Sequence, residues 1–179
     1  MYELDGEAFD HGIPIDGAIS TARRVLGEAK APSVAEYIED LLAGGVEKVV
    51  VEAWHHSVLD YLRQELAKHG LTYMDGTTSP GRKQQAVDEF QGNPKIKIIL
   101  GQTMPLGMGW TLTAAQDVVL AEPDWVPGVN QQMADRIHRK GQTKGTICHI
   151  PVVSGTLDEK VLGTAIKKSQ NIYQALDAE

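Results

Sequence analysis

Two hydrophobic periods alternate along this chain. Short runs rich in Val, Ile and Leu fall at Lys48–Ala53, Leu71–Met74, Ile96–Leu100, Asp117–Ala121 and Thr146–Val153, and each predicts a strand. Val49–Val51 and Ile98–Leu100 show no polar alternation, which suits a parallel sheet covered on both faces. Pro151 inside the fifth run argues for a sheet edge or a break near its end. Between the runs the spacing becomes helical. Ser33 and Glu36 form a capping-box pattern after Pro32, followed by a stripe of Val34, Tyr37, Ile38, Leu41 and Leu42 that Gly44 ends. Ser57 is expected to cap a helix carrying Val58, Leu62 and Leu66 that stops at Gly70. Ser79-Pro80 opens another, with Ala86, Val87 and Phe90 inward and Asn93-Pro94 after it. Thr156 with Glu159 predicts the cap of a last helix running toward Leu176. Ala18–Ala29 reads as one more helix, outside the alternating unit. Strand–helix alternation with short links predicts a doubly wound α/β fold, with ligands gathered at the carboxyl ends of the strands.

Composition narrows this picture. A chain of 179 residues with 42% hydrophobic and 23% charged residues can bury one sizeable core, so one main domain is expected. Residues 1–28 read as an acidic lead-in plus the outer helix, and 29–179 as the folded domain. Cys148 is the one cysteine, which excludes an internal disulfide framework; it is expected as a small core residue of its strand. No apolar run is long enough to span a bilayer and no signal peptide is visible, so a cytoplasmic location without membrane contact is expected. The net charge of −7 is uneven: residues 1–125 carry −9 and residues 126–179 carry +2. Any nucleic-acid contact must therefore rest on a few local residues, and anions should be steered toward the C-terminal third.

That third holds the segment Gln131–Gln142, Q-Q-M-A-D-R-I-H-R-K-G-Q, with Arg136, His138, Arg139 and Lys140 inside five residues. Met133 and Ile137 are four apart and are expected on one helix face; Arg136 and Arg139 are three apart and share another. Two adjacent guanidinium groups suit a nucleotide phosphate, although on spacing alone a solvated basic helix face is the commoner fate of such a run. The chain has no G-x-x-x-x-G-K-[ST] phosphate cradle, no acidic run at a strand end for magnesium, no G-x-S-x-G elbow and no metal spacing among its histidines. His55 and His56 are expected as loop or packing residues.

Four segments resemble, in order, those of one family: Lys48–Leu62, Asp75–Arg82 (D-G-T-T-S-P-G-R), Leu106–Gly128 and Gln132–Gln142 (Q-M-A-D-R-I-H-R-K-G-Q). They are similar to the second RecA-like lobe of helicase superfamily two, in its Swi/Snf-type DNA translocases, over roughly Ala29 to Leu176. Ala29–Ile38, His55-His56 and M-G-W-T at Met108–Thr111 resemble the annealing-helicase branch, while the insertion-free layout resembles bacterial and phage members. The resemblance implies a RecA-like three-layer αβα fold around a mostly parallel sheet. It also implies roles residue by residue. Arg136 and Arg139 match motif VI arginines that reach the phosphates of ATP held, with magnesium, mainly by a first lobe. Asp135 would orient Arg136, and Gln132 would set the lobe–lobe interface. Gly107, Gly109 and Thr111 match motif V, where bare backbone approaches the nucleotide or a DNA phosphate. Gly76, Thr78 and Arg82, with Thr77 as a substitute, match a turn that touches the nucleic-acid backbone. Trp125 matches a D-W loop and reads either as a base-stacking residue or as an aromatic plug between lobes. Thr111 and Val126 stand where many members carry Asn, and Trp110 where Leu is usual, so this chain lacks those amide hydrogen bonds. The implied partners are an N-terminal RecA-like lobe of the same protein and the backbone of double-stranded DNA. The competing expectation is a stand-alone binding or regulatory module with no catalytic part.

Overall fold

The computed structural model describes residues 15–176 except 104, 105, 107, 108 and 125. The expectations placed on Gly107, Met108 and Trp125 lie outside the described residues. Helix α1 (Ile15–Ala43) leads into β1 (Val49–Ala53), α2 (His56–Leu66) and β2 (Leu71–Met74). Then follow α3 (Pro80–Gly92), β3 (Ile98–Gln102), β4 (Asp117–Leu120), α4 (Pro127–Ala134), β5 (Ile147–His149) and α5 (Leu157–Leu176). The strands form one sheet in the order β2-β3-β1-β4-β5, and every neighbouring pair is parallel.

The alternation of side chains across β1 explains the three layers. Val49, Val51 and Ala53 face α1 and α2, where they meet Ile38, Leu59, Leu62, Ile98, Leu100 and Val119. Val50 faces the other way, onto Phe90, Ile99, Leu106, Val118, Met133 and Ile137. Both faces are covered, which is why these strands read as unbroken apolar runs. The expected three-layer αβα architecture is therefore present, and no helix among the described residues is long and apolar enough to cross a membrane.

Four local expectations are corrected. Ala18–Ala29 is not a separate helix: α1 runs unbroken for 29 residues with Pro32 inside it, across the boundary drawn after residue 28. Ser33 and Glu36 are exposed in mid-helix, so they make no capping box. Packing overrides the lost Pro32 donor, because Ala31, Val34, Ala35 and Ile38 bury one continuous face across it. Ser57 does not cap α2, whose N-cap is His55; the Ser57 hydroxyl instead donates to Glu28 Oε1 at 2.8 Å, tying α2 to α1. Cys148 is exposed on the three-residue edge strand β5 rather than buried in the core. The Ser79-Pro80 start of α3 and the inward Ala86, Val87 and Phe90 appear as expected. So does the last cap: Thr156 accepts the Asp158 N–H at 3.3 Å and Glu159 accepts the Gly155 N–H at 2.8 Å.

Two lysines join distant segments. Lys30 of α1 is buried against Asp158 of α5 at 2.6 Å and also donates to the Pro151 carbonyl. Lys48 donates to the carbonyls of Phe90, Asn93 and Ile96, closing the end of α3 onto the start of β1, with its ammonium 5.1 Å from the Phe90 ring. Its pKa is lowered by burial.

Candidate nucleotide and nucleic-acid site

The carboxyl ends of the strands carry the chemistry-bearing residues. After β2 the chain turns through Asp75–Ser79. Oδ1 of Asp75 accepts the N–H and hydroxyl of Thr77 (2.9 and 2.8 Å) and those of Thr78 (both 2.9 Å). Oδ2 accepts the Tyr73 hydroxyl at 3.1 Å. Burial pushes the Asp75 carboxyl up, but these donors outweigh it and hold the group well below the usual carboxylate range. The Thr78 hydroxyl is thus engaged within the turn, and it also accepts the Asp75 N–H at 3.0 Å. Gly76 is exposed, and its N–H donates to Gln102 Oε1 at 3.2 Å, while Gln102 Nε2 donates to the Trp54 carbonyl at 3.1 Å. One glutamine therefore links the ends of β1, β2 and β3. Arg82 is exposed on the first turn of α3 with no ion pair among the described residues.

The second half of the site joins the loop after β3 to the turn after α4. Helix α4 ends at Ala134, so Arg136 and Arg139 lie in a turn and not on one helix face as their spacing suggested. Ile137 is nonetheless buried with Met133, as the pattern required. Two contacts zip the turn to the loop: Leu112 N–H donates to the Arg136 carbonyl at 2.9 Å, and Arg139 Nη1 donates to the Gly109 carbonyl at 3.1 Å. Gly109 has φ of +90°, a conformation that favours glycine. Thr111 is exposed.

The two arginines differ sharply. Arg139 is exposed, while Arg136 is only 8% exposed, and its Nε and Nη1 are buried without a hydrogen-bond partner. Arg136 is therefore not part of a solvated basic face, although two of its nitrogens make no hydrogen bond. Its pKa is lowered by burial first and by Arg139 second, with Asp135 opposing. Asp135 makes no ion pair with Arg136; it accepts Gln131 Nε2 at 2.8 Å, so it acts on Arg136 through charge alone. Gln132 is exposed. The exposed Arg139 guanidinium is open to an anionic group such as a phosphate, whereas Nε and Nη1 of Arg136 lack partners but are closed off from solvent as they stand.

Several residues escaped sequence reading. Gln142 Nε2 donates to the carbonyls of Thr113, Ala115 and Ile137, pinning the arginine turn to the loop before β4. The segment showed Gln142 only as the end of a motif. At the end of β4, Glu122 accepts the N–H groups of Trp54 and His55 at 2.9 Å each and pairs with His55 Nδ1 at 2.6 Å. His55 is thus a packing residue, as expected, with a defined partner. Gly27 lets α1 pass this cluster, since a Cβ there would stand 2.4 Å from Glu122 Oε1. Glu52, 2% exposed, accepts the Thr103 hydroxyl, and its carboxyl is raised well above the usual value by burial, then by Glu122 and Asp124.

Comparison with known proteins agrees with this layout. The helicase conserved C-terminal domain matches residues 33–141. The chain is 39% identical over 163 residues to the SWI/SNF-related matrix-associated actin-dependent regulator of chromatin subfamily A-like protein 1 of Xenopus tropicalis, covering 84% of this chain and 17% of that protein. It is 33% identical over 156 residues to the human DNA annealing helicase and endonuclease ZRANB3, covering 86% and 14%. It thus spans less than a fifth of these relatives. They are eukaryotic, and so give the expected bacterial or phage origin no support. Among solved structures, the C-terminal part of the Fun30 ATPase domain superposes with a TM-score of 0.70 at 26% identity, covering 75% of this chain and 44% of that one. The fold is also that of the Sulfolobus solfataricus SWI2/SNF2 ATPase core in complex with dsDNA, with a TM-score of 0.67 at 24% identity, covering 82% and 34%. With its parallel sheet, its arginine turn and these relatives, the chain belongs to the helicase conserved C-terminal domain family, among the SWI/SNF-type members.

Proposed function

We propose that this chain serves as the second motor lobe of an ATP-dependent translocase of double-stranded DNA. It would close on ATP and magnesium held mainly by an N-terminal RecA-like lobe. Arg136 and Arg139 act as the arginine fingers, neutralising charge that develops on the transferred phosphoryl group. The observation that carries this reading is the buried Arg136, with Nε and Nη1 unsatisfied, next to an Arg139 held by a single carbonyl. Arg139 can take a phosphate as it stands, and the buried nitrogens of Arg136 gain partners when the turn opens on closure, which favours a nucleotide-driven movement. Gly109, Gln132 and Asp135 shape this half-site, with Gln132 facing the partner lobe. Gly76, Thr78, Arg82 and Thr111 form the contact with the DNA backbone. In Thr78 it is the turn it braces, more than its own hydroxyl, that serves the contact. Such contacts position the duplex without reading its sequence.

The test is Arg139→Ala in the two-lobed protein. DNA-stimulated ATP turnover should fall by about 10³-fold or more, the range of arginine fingers. Turnover at the wild-type rate would reject the assignment.

A further inference from the structure

An open cleft of about 560 Å³ runs beside the Asp75 turn, and Arg63, Tyr73, Thr78, Ser79 and Arg82 line it. Arg63 comes from the last turn of α2, a helix that none of the four motif segments singles out for binding. We infer that Arg63 is a second duplex-backbone contact of this lobe, sharing one cleft with Arg82 and held in place by Tyr73. The inference rests on the proposed DNA contact of the Asp75–Arg82 turn and adds a residue from a different element.

Three observations support it. First, neither Arg63 nor Arg82 makes an ion pair among the described residues, so two permanent positive charges line one cleft against a single carboxylate, Asp75. Asp75 keeps its negative charge in the same wall, but its oxygens are engaged by Thr77, Thr78 and Tyr73, so it forms no ion pair with either arginine and the cleft keeps an excess of positive charge. Second, the Arg63 guanidinium lies over the Tyr73 ring, 4.7 Å from its centre. Stacking satisfies the face of a guanidinium and leaves its N–H edge free, the edge that takes phosphate oxygens. Third, the platform is itself fixed. Tyr73 donates to Asp75, and its phenol is pushed up to about 12 by burial first and the Asp75 hydrogen bond second, so the donor persists. A pre-ordered arginine loses less side-chain entropy on binding than a free one. Tyr73 is a positioning residue, since it acts through Arg63.

The experiment measures binding of the full chain to a short random-sequence duplex across a salt series. Arg63→Ala should weaken binding and flatten the dependence of log K on log salt by about one unit, as loss of one phosphate contact does. Arg82→Ala should do the same. Arg63→Lys keeps the charge and should keep the slope while losing affinity, which also excludes misfolding as the cause. Tyr73→Leu should lower affinity with the slope unchanged. Lys95→Ala, at the opposite, amino edge of the sheet, should leave both unchanged. If Arg82→Ala flattens the slope and Arg63→Ala does not, this inference fails and the DNA reading stands. It also fails if Lys95→Ala flattens the slope as much as Arg63→Ala does. No binding by the wild-type chain at low salt overturns the DNA reading and this inference together.

Discussion

At the end of β1, the carboxyl of Glu52 sits out of water beside Glu122 and Asp124, with the Thr103 hydroxyl as its donor. A carboxyl whose folded pKa lies above its unfolded value adds stability below the unfolded value and loses it as pH rises through the folded one. Glu52→Gln removes that titration while keeping a polar group for Thr103. The variant should gain melting temperature over the wild type at pH 8 and little or nothing at pH 5; a difference independent of pH would refute the buried neutral acid. The run V-V-V-E-A gave no hint of this: cover on both faces was expected for Val49–Val51, but a Glu near the strand's end reads as the point where that cover stops. Arg136 shows the same limit. Its presence in the segment was legible, but its burial depends on loop packing from residues 109–115, which no spacing rule encodes.

Elements were legible where side-chain period and burial agree. Leu71–Met74 appears at its predicted ends, and α3 starts and stops at the predicted Ser79 and Asn93. They failed where long-range packing outvotes local chemistry. Pro32 and its neighbours spell a helix start, yet α1 continues through them because the buried face spans the proline. Pro32 itself is exposed. A proline in a helix interior costs about 3 kcal/mol relative to alanine in isolated helices, and part of that cost is retained here. Pro32→Ala should therefore raise unfolding free energy by about 1–3 kcal/mol in urea titrations. An unchanged or lowered midpoint would mean that the helix needs a break at this point. The opposite error befell Gln131–Gln142, where helical spacing continued in the sequence while the helix ended at Ala134 and the cationic residues fell into a turn.

For the whole molecule, the alternation of strands and helices was enough to fix a parallel three-layer architecture, and the order of four motifs was enough to fix the family. Under the proposed reading, a partner lobe would supply the phosphate cradle and the acidic magnesium site that no motif in this sequence matches. The purified chain should accordingly unfold cooperatively yet hydrolyse no ATP above background. Sustained turnover, with contaminating ATPases excluded, would contradict the two-lobe reading. The sheet's register adds a topographic point. Val49 pairs with Ile98 and Asp117, Ile98 with Leu71, and Asp117 with Ile147, so all five strands begin level. They end unevenly: β1 and β3 have five residues, β2 and β4 four, and β5 three. At about 3.3 Å per residue, the rim stands roughly 7 Å higher at its centre than at β5. The centre of that ridge is crowned by Trp54, 40% exposed and anchored by Gln102. The Asp75 turn rises from one shoulder, and the chain toward the arginine turn leaves from the other. Trp54 thus stands at the tallest strand end, between the two arginine-bearing turns, and forms the shared floor from which both leave the sheet.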